Sequence, residues 1–274
     1  MKKKLRTRLL PAILMTAAVL FIAVSCDKNP KGEQPELPSV ESLFMSYADF
    51  DEQPGVTKGA LASYENFSYA YSSLLFWHSN PSITLTMALP IAAYGYALTQ
   101  ESEYVGDNTW KWSFDFQWNE ISYIVTLTAS RENNEEFYIK MDVALTELPS
   151  LGIKWFDGMI RYDHTHGTWT IYKEGTLAVV DGEMNYDFVA NKGDLKYTYV
   201  EPEKEETGSY ILYEYDQEAV YDASYTVSYS TGMTVIEWDT TTKEGHVQDQ
   251  NHFQDGDWHC WDALANGLVD MVCE

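Results

Sequence analysis

The clearest hydrophobic pattern in the chain is an alternation of aromatic and polar residues over positions 109–118. The stretch reads TWKWSFDFQW, and every second residue from Trp110 to Trp118 is aromatic. Side chains alternate between the two faces of a β-strand, so this pattern predicts a strand with one aromatic and one polar face. A strand of this kind needs a large apolar partner, and we expect its aromatic face to point into a core.

Similar alternating segments follow at intervals of about ten residues, as in an all-β region. Turn signals such as Glu132-Asn133-Asn134 and Asp181-Gly182 separate them. The predicted segments are 109–118, 123–129, 137–145, 154–162, 168–172, 176–180, 183–188, 195–199, 210–215, 221–229, 234–238 and 245–248. They predict an antiparallel meander of about ten strands.

Two helices are predicted before these strands. From Ser63 to His78, apolar residues recur at spacings of three and four, which is typical of one helix face. Asn80-Pro81 then resembles a second helix start, and residues 83–98 are apolar nearly all round, with no charge. Pro90 is expected to kink this second helix.

These patterns together predict an α+β, mainly β fold. We expect a strongly curved antiparallel meander, an open or half barrel, with the two N-terminal helices packed in its concave face. A β-sandwich is the competing architecture, but it leaves the apolar helix without a buried place.

The N-terminus has the pattern of an export signal. Residues 1–8 are basic, Leu9 to Ala23 is almost wholly apolar, and Ala23-Val24-Ser25-Cys26 resembles the bacterial lipobox. We therefore predict a signal peptide over 1–25, a lipidated Cys26 with a flexible tether over 26–42, and one β-rich domain over 43–274. An ordinary signal peptide with a chance cysteine is the alternative. The prediction implies a protein anchored to the bacterial outer membrane, on its periplasmic face or at the cell surface.

Charge and cysteine content narrow the classes of partner. Of 18 Lys and Arg residues five lie in residues 1–8, so 13 basic residues face 42 acidic ones in the mature chain, a formal charge of −29. This balance argues against nucleic acid and against anionic membrane surfaces as partners. In an oxidising compartment the two remaining cysteines, Cys260 and Cys273, are expected to form a disulfide.

Two polar clusters contain residue types that can bind metal ions. Asp163-His164-Thr165-His166 has the His-x-His spacing, and the segment from Asp249 to His259 contains several Asp and His residues. We interpret the first as a polar hairpin turn and the second as a solvated loop held by the disulfide. Glu201 to Glu206 is interpreted as a solvated hairpin tip. The sequence shows no phosphate-binding loop or nucleophile elbow, so no catalytic residue, metal or cofactor is predicted.

Several stretches together look like a group of uncharacterised Bacteroidota lipoproteins. They are the lipobox, the apolar helix pair, the W-x-W strand, GTWTIY at 167–172, and IEWDTTTKEGHV at 236–247 with DWHCWD at 257–262. The resemblance implies a secreted lipoprotein and carries no functional residues. The architecture is also similar in outline to the LolA/LolB lipoprotein carriers.

For function, we expect a non-enzymatic scaffold or a protein that binds a lipid or another hydrophobic ligand. Surface glycan binding through exposed Trp and Tyr is the alternative, and a hydrolase is the third hypothesis. The ligand and the oligomeric state stay open at this level.

Overall fold

A computed structural model describes residues 33–45, 50, 64–79, 81–264 and 267–273. The chain divides into two units, Met1–Glu33 and Gln34–Glu274. All the described helices and strands belong to the second unit. The predicted signal peptide and Cys26 lie outside the described residues.

The second unit is mostly β, with few helices. The described helices are α1 (Val40–Leu43), α2 (Glu65–Ser79), α3 (Pro81–Ala97) and α4 (Gln250–Phe253). The strands are β1 (Glu103–Gly106), β2 (Thr109–Trp118), β3 (Ile121–Arg131), β4 (Glu136–Leu145), β5 (Leu148–Arg161), β6 (His166–Lys173), β7 (Leu177–Asp187), β8 (Lys192–Tyr199), β9 (Tyr210–Asp216), β10 (Ala223–Tyr229), β11 (Gly232–Trp238), β12 (Gly245–Gln248), β13 (His259–Leu264) and β14 (Gly267–Met271).

The strands form one open antiparallel sheet in which each strand pairs with its neighbours in sequence, from β1 to β14. The prediction of a meander is confirmed, but the described residues form 14 strands rather than about ten. The prediction missed β1, β13 and β14, and it placed a turn at Asp181-Gly182, in the middle of β7. Gly182 lies opposite Trp169 in the sheet, and its missing side chain leaves room for the indole ring.

The aromatic row of β2 is buried only along part of its length. Trp110 and Trp112 are buried, Phe114 and Phe116 are partly buried, and Trp118 is exposed. The inward orientation is therefore confirmed for the first two tryptophans, and burial declines along the strand toward the turn between β2 and β3.

The two long helices contact different parts of the sheet. Helix α2 contacts β10 to β14, whereas α3 contacts β2 and β3 as well as β6 and β7. Helix α3 begins at Pro81, as the Asn80-Pro81 pattern predicted, and it buries Ile83, Met87 and Tyr94. Its apolar surface is thus covered in the middle, although Tyr96 near its end is exposed.

The compact unit begins at Gln34, whereas the sequence placed its start at residue 43. Pro35 and Pro38 are buried, and the hydroxyl of Tyr94 donates a hydrogen bond to the backbone oxygen of Pro38 at 2.8 Å. Residues 34–42, which were predicted to belong to the tether, therefore pack on the unit. The composition of this stretch is tether-like, but Pro35 and Pro38 are both buried.

Cys260 and Cys273 form a disulfide, with Cα atoms 5.3 Å apart, as the sequence predicted. The bond joins the start of β13 to the chain just beyond β14. These are the last two strands of the sheet, and among the described strands β14 pairs with β13 alone. The crosslink therefore secures an edge of the sheet.

Candidate functional site

A large cavity lies between the N-terminal segment 36–45 and the sheet, at the end of β7, the start of β8 and the end of β9. Its volume is about 720 Å³, which is within the usual range for pockets that bind small molecules. We call it the N-terminal cavity. Helix α1 and the residues around it form one side, and the sheet forms the other.

The sheet side of the N-terminal cavity is apolar because of strand alternation. Met184, Leu195 and Tyr213 face each other across β7, β8 and β9 and point to the inner face. Asn185 and Asp194, the next residues along, also line the cavity, and the Asn185 amide donates to the Asp194 carboxylate at 3.0 Å. Apart from this hydrogen-bonded pair, the described lining residues on these three strands are apolar, aromatic or glycine.

One wall of the cavity depends on a glycine. Tyr186 lies opposite Gly193 in the sheet, and a Cβ atom at position 193 would lie 2.5 Å from Cδ2 of Tyr186. The hydroxyl of Tyr186 donates to Asn191 at 2.5 Å, which holds the ring over the glycine. The next aromatic ring, that of Phe188, contacts Tyr186 and is exposed at the edge of the cavity.

The N-terminal segment is held over the sheet by hydrogen bonds to its backbone. The Tyr197 hydroxyl donates to the oxygen of Leu43 at 2.6 Å and accepts from the nitrogen of Met45 at 3.1 Å. At the other end of the segment, Nε2 of His164 lies 3.0 Å from the backbone oxygen of Glu36. These contacts fix the segment at both ends, and Leu37 and Met45 between them line the cavity.

The charged groups that line the cavity from the N-terminal segment are both acidic. Glu36 and Glu41 are exposed and belong to its lining. An apolar interior beneath two carboxylates favours a hydrophobic molecule whose polar end is neutral or positively charged over one that ends in a carboxylate.

A second apolar surface lies at the opposite end of the sheet, at the turns that follow β2 and β4. Trp118 pairs with Ile121, Tyr123 pairs with Leu145, and Leu145 pairs with Leu148, so these side chains form rows that continue the inner face. Helix α3 contacts the inner part of this region, where the ring of Tyr96 packs on Phe114 and Phe116. Beyond it, Trp118, Ile121, Leu145 and Leu148 are 37%, 47%, 43% and 49% exposed.

A bulge in β5 shapes this region of the sheet. The pairing of β4 with β5 shifts between Met141 and Asp142, so that one extra residue, Trp155, is inserted between the partners of these two residues. Trp155 and Phe156 are therefore both buried, although they are neighbours in the strand. The ring of Trp155 contacts that of Tyr123 at a centroid distance of 5.8 Å.

The two histidines of the predicted His-x-His motif point to different partners. His164 lies in the turn with a positive φ of 55° and contacts Glu36, whereas Nδ1 of His166 lies 2.8 Å from the side-chain oxygen of Asn185. Asp163 accepts hydrogen bonds from Thr165, which together with Arg161 lower the pKa of this carboxyl to about 2. The cluster is thus organised as a turn.

The predicted polar loop from Asp249 to His259 is held by hydrogen bonds of its own. Asp249 caps α4 by accepting from the backbone nitrogens of Asn251 and His252, and Nε2 of His259 lies 3.0 Å from Asp255. Across the part of the chain that the structure describes, no group of three or more His, Cys, Asp or Glu side chains is arranged to hold a metal ion.

The interpretation of Glu201 to Glu206 as a solvated hairpin tip is wrong for Glu201. Glu201 is 5% exposed and accepts a hydrogen bond from the Tyr199 hydroxyl at 2.8 Å, so it is a buried group rather than part of a solvated tip. Glu205 and Glu206 line a separate cleft. Nothing in the sequence distinguishes these three glutamates from one another.

The most extensive carboxylate network outside these regions is centred on Asp157. Its oxygens accept from Tyr138 at 2.7 Å, Tyr172 at 2.9 Å and Lys154 at 2.6 Å. Burial alone would raise the pKa of Asp157, but these hydrogen bonds lower it below its usual value. The network therefore keeps the carboxylate ionised and partnered.

None of the helices in the described ranges has both the length and the apolar character needed to cross a bilayer. Comparison of the chain with protein-family models, with curated proteins and with solved structures finds no match in any of the three. The resemblance to Bacteroidota lipoproteins therefore stays a prediction.

Proposed function

We propose that this chain is a non-enzymatic lipoprotein of the bacterial cell envelope that binds a hydrophobic ligand in the N-terminal cavity. The observation that carries the proposal is the cavity itself, about 720 Å³ in volume, with an apolar sheet wall. The anchor would be Cys26, seven residues before the first described residue, Glu33. The ligand class is a molecule with an acyl-like chain and a neutral or cationic head.

The contacts of α3 support the further proposal that the sheet is strongly curved, as in an open or half barrel. Neighbouring strands lie about 4.8 Å apart, so β2 and β7 would be about 24 Å apart in a flat sheet, and a helix about 10–12 Å wide could reach both only by lying across all the strands between them. Helix α3 nevertheless contacts both β2 and β7. Curvature that brings these strands toward one helix would also enclose the N-terminal cavity, because α1 contacts both α3 and β7.

The composition of the cavity lining supports a ligand that varies in shape. Met45 and Met184 contribute flexible, unbranched side chains, which adapt to different apolar partners. The burial of one methylene group is worth about 0.8 kcal/mol, so a chain of only a few buried carbon atoms gives appreciable affinity.

Glycan binding is the alternative, and one pair of rings fits it. Phe116 and Trp118 are nearly parallel, with an interplanar angle of 18° and centroids 6.2 Å apart. Sugar recognition also needs several hydrogen-bonding groups beside the rings, but of the residues opposite and next to them, Ile121, Tyr123 and Leu145, only Tyr123 has a polar side-chain group. The hydrophobic-ligand proposal therefore stands first.

The proposal predicts that a bulky side chain in the cavity will block binding. Ser42 is exposed on α1 and lines the cavity, so Ser42→Trp places an indole there without removing any buried side chain. Displacement of two ligand methylenes would weaken binding about tenfold. The measurement is a titration of the purified protein with Nile red, a neutral fluorescent probe, with Glu218→Trp as the control because Glu218 is exposed in the turn between β9 and β10.

Competition against the bound probe tests the head-group preference separately. We expect monolauroylglycerol to displace Nile red at lower concentration than laurate, which has the same chain but a negative charge near Glu36 and Glu41. Equal affinity of the Ser42→Trp and Glu218→Trp variants for the probe would rule out the N-terminal cavity as the site.

A further inference from the structure

A second cleft, of about 500 Å³, lies at the other end of the sheet from the N-terminal cavity. It lies between α2 and two loops, the one between β8 and β9 and the turn between β10 and β11. Consecutive turns of an antiparallel meander lie at opposite ends of the strands, so these loops are at the opposite end from the turn between β7 and β8. We call this site the aromatic cleft.

The helix side of the aromatic cleft is a single face of α2. Tyr69, Ser72, Ser73 and Trp77 line it, and their spacings of three, four and eight residues place them on the same side of a helix. The loop side contributes two more rings, those of Tyr199 and Tyr229.

The tyrosine hydroxyl groups of the cleft donate to groups of the protein. Tyr69 donates to Asp249 at 2.5 Å, Tyr199 donates to Glu201 at 2.8 Å, and Tyr229 donates to the backbone oxygen of Ser73 at 3.1 Å. One face of the Tyr69 ring is also covered by His252, at a centroid distance of 3.6 Å. A ligand in the cleft would therefore meet the carbon surfaces of these rings rather than hydroxyl groups that are available to donate.

The hydroxyl groups of the two α2 serines also donate to groups of the protein. The hydroxyl of Ser72 donates to the backbone oxygen of Ser68 at 2.7 Å, and that of Ser73 donates to the oxygen of Tyr69 at 2.9 Å. A hydroxyl that has donated its proton can offer a ligand only its oxygen lone pairs. These two serines can therefore only accept hydrogen bonds from a ligand.

The charged residues that line the cleft are all acidic. They are Glu205 and Glu206, from the loop between β8 and β9, and no Lys, Arg or His belongs to the lining within the part of the chain that the structure describes. The nearby Lys204 lies 3.9 Å from the buried carboxylate of Glu201 and is not part of the lining. The lining also includes Ser209, Ser230 and Thr231, and the indole N–H of Trp77 has no hydrogen-bond partner among the described residues. The cleft thus combines aromatic walls and negative charge with a few polar groups.

We propose that the aromatic cleft binds an organic cation that carries a quaternary or primary ammonium group. Such a group is attracted to the faces of aromatic rings and to carboxylates, and a primary ammonium also donates to the serine oxygens. The site is separate from the N-terminal cavity, and the proposal does not depend on what that cavity binds. The strong negative charge of the protein as a whole, −24 over the full chain, also attracts cations.

The test compares a cation with an uncharged molecule of the same shape. The purified protein is titrated by calorimetry with choline and with 3,3-dimethyl-1-butanol, in which a carbon atom replaces the charged nitrogen. We expect choline to bind about tenfold more tightly, and we expect added salt to weaken it.

Variants locate the site. The double change Glu205→Gln and Glu206→Gln is expected to weaken choline binding about tenfold, whereas Glu203→Gln, in the same loop but outside the lining, leaves it unchanged. Tyr229→Phe retains the ring and should retain choline binding. Tyr229→Leu removes the ring and should weaken choline binding about threefold or more.

Several results would overturn the proposal. They are the absence of choline binding, equal binding of choline and its neutral analogue, and equal loss in the Glu203→Gln control and the double variant. Circular dichroism of each variant checks that it is folded, and Nile red binding in the N-terminal cavity is measured in parallel. Because the two sites are separate, loss of one activity with the other retained shows which proposal has failed.

Discussion

Asp249→Ala is expected to lower the free energy of unfolding by about 4 kcal/mol, because this buried carboxylate joins three parts of the fold. One oxygen accepts from the hydroxyls of Tyr69 on α2, at 2.5 Å, and Thr234 on β11, at 2.6 Å. The other oxygen caps α4. The alanine variant would leave two hydroxyl donors and the first backbone N–H groups of α4 without their acceptor.

Urea unfolding measures this loss, with Asp257→Ala as the control. Asp257 is exposed in the same loop, and its replacement should change stability by less than about 0.5 kcal/mol. The loss of stability in Asp249→Asn should lie between the losses in these two alanine variants, because the amide oxygen can still accept a hydrogen bond. A loss below about 1 kcal/mol in Asp249→Ala would show that the carboxylate does not hold α2 to the sheet.

The same carboxylate predicts a pH dependence. Burial alone would raise the pKa of Asp249, but hydrogen bonds from Thr234 and then Tyr69 lower it below its usual value. A pKa that is lower in the folded than in the unfolded state gives stability that is fully present above about pH 4 and is lost as the pH falls through the folded value. The difference between the wild type and Asp249→Asn should therefore shrink in acid.

Gly182→Ala is expected to lower the free energy of unfolding by about 3 kcal/mol, because position 182 has no room for a side chain. A Cβ atom there would lie 2.2 Å from Cε2 of Trp169 and 2.4 Å from its Nε1. Trp169 is 4% exposed. The residue opposite it on β5, the other neighbouring strand, is also a glycine, Gly158. The indole would have to leave its place in the core or push the strands apart.

A double-mutant cycle assigns this loss to the ring. In a Trp169→Leu background the clash is absent, so Gly182→Ala should cost less than about 1 kcal/mol. Gly256→Ala is the matched control, because no atom lies within 4 Å of a Cβ built at that glycine. Equal losses with and without the indole would contradict the close packing of Trp169 on Gly182.

Strand alternation predicted the meander because period-two patterns directly reflect a two-faced sheet. The same reasoning failed at Gly182, where a glycine after an aspartate is a common turn signal, but the reason for the glycine is a tryptophan on the neighbouring strand. It also overstated the burial of Trp118, because the pattern gives the face of a residue but not how far the helices extend over that face.

Local sequence patterns could not predict the two candidate sites either, because each site combines residues that are distant in the sequence. The N-terminal cavity depends on residues 36–45 packing on strands that lie more than 130 positions later in the chain. The composition of residues 27–42, with its prolines and charges, instead favoured a tether. In the aromatic cleft, Glu205 and Glu206 look like any solvated acidic loop until α2 is placed opposite them.

Native mass spectrometry of the protein purified from its own envelope tests the central claim most directly. For the wild type and for Glu218→Trp, we predict one bound hydrophobic molecule with a neutral or cationic head per chain, and we predict its loss in Ser42→Trp. A bound glycan, or a hydrophobic molecule that remains bound in Ser42→Trp, would contradict the assignment of the N-terminal cavity as the binding site.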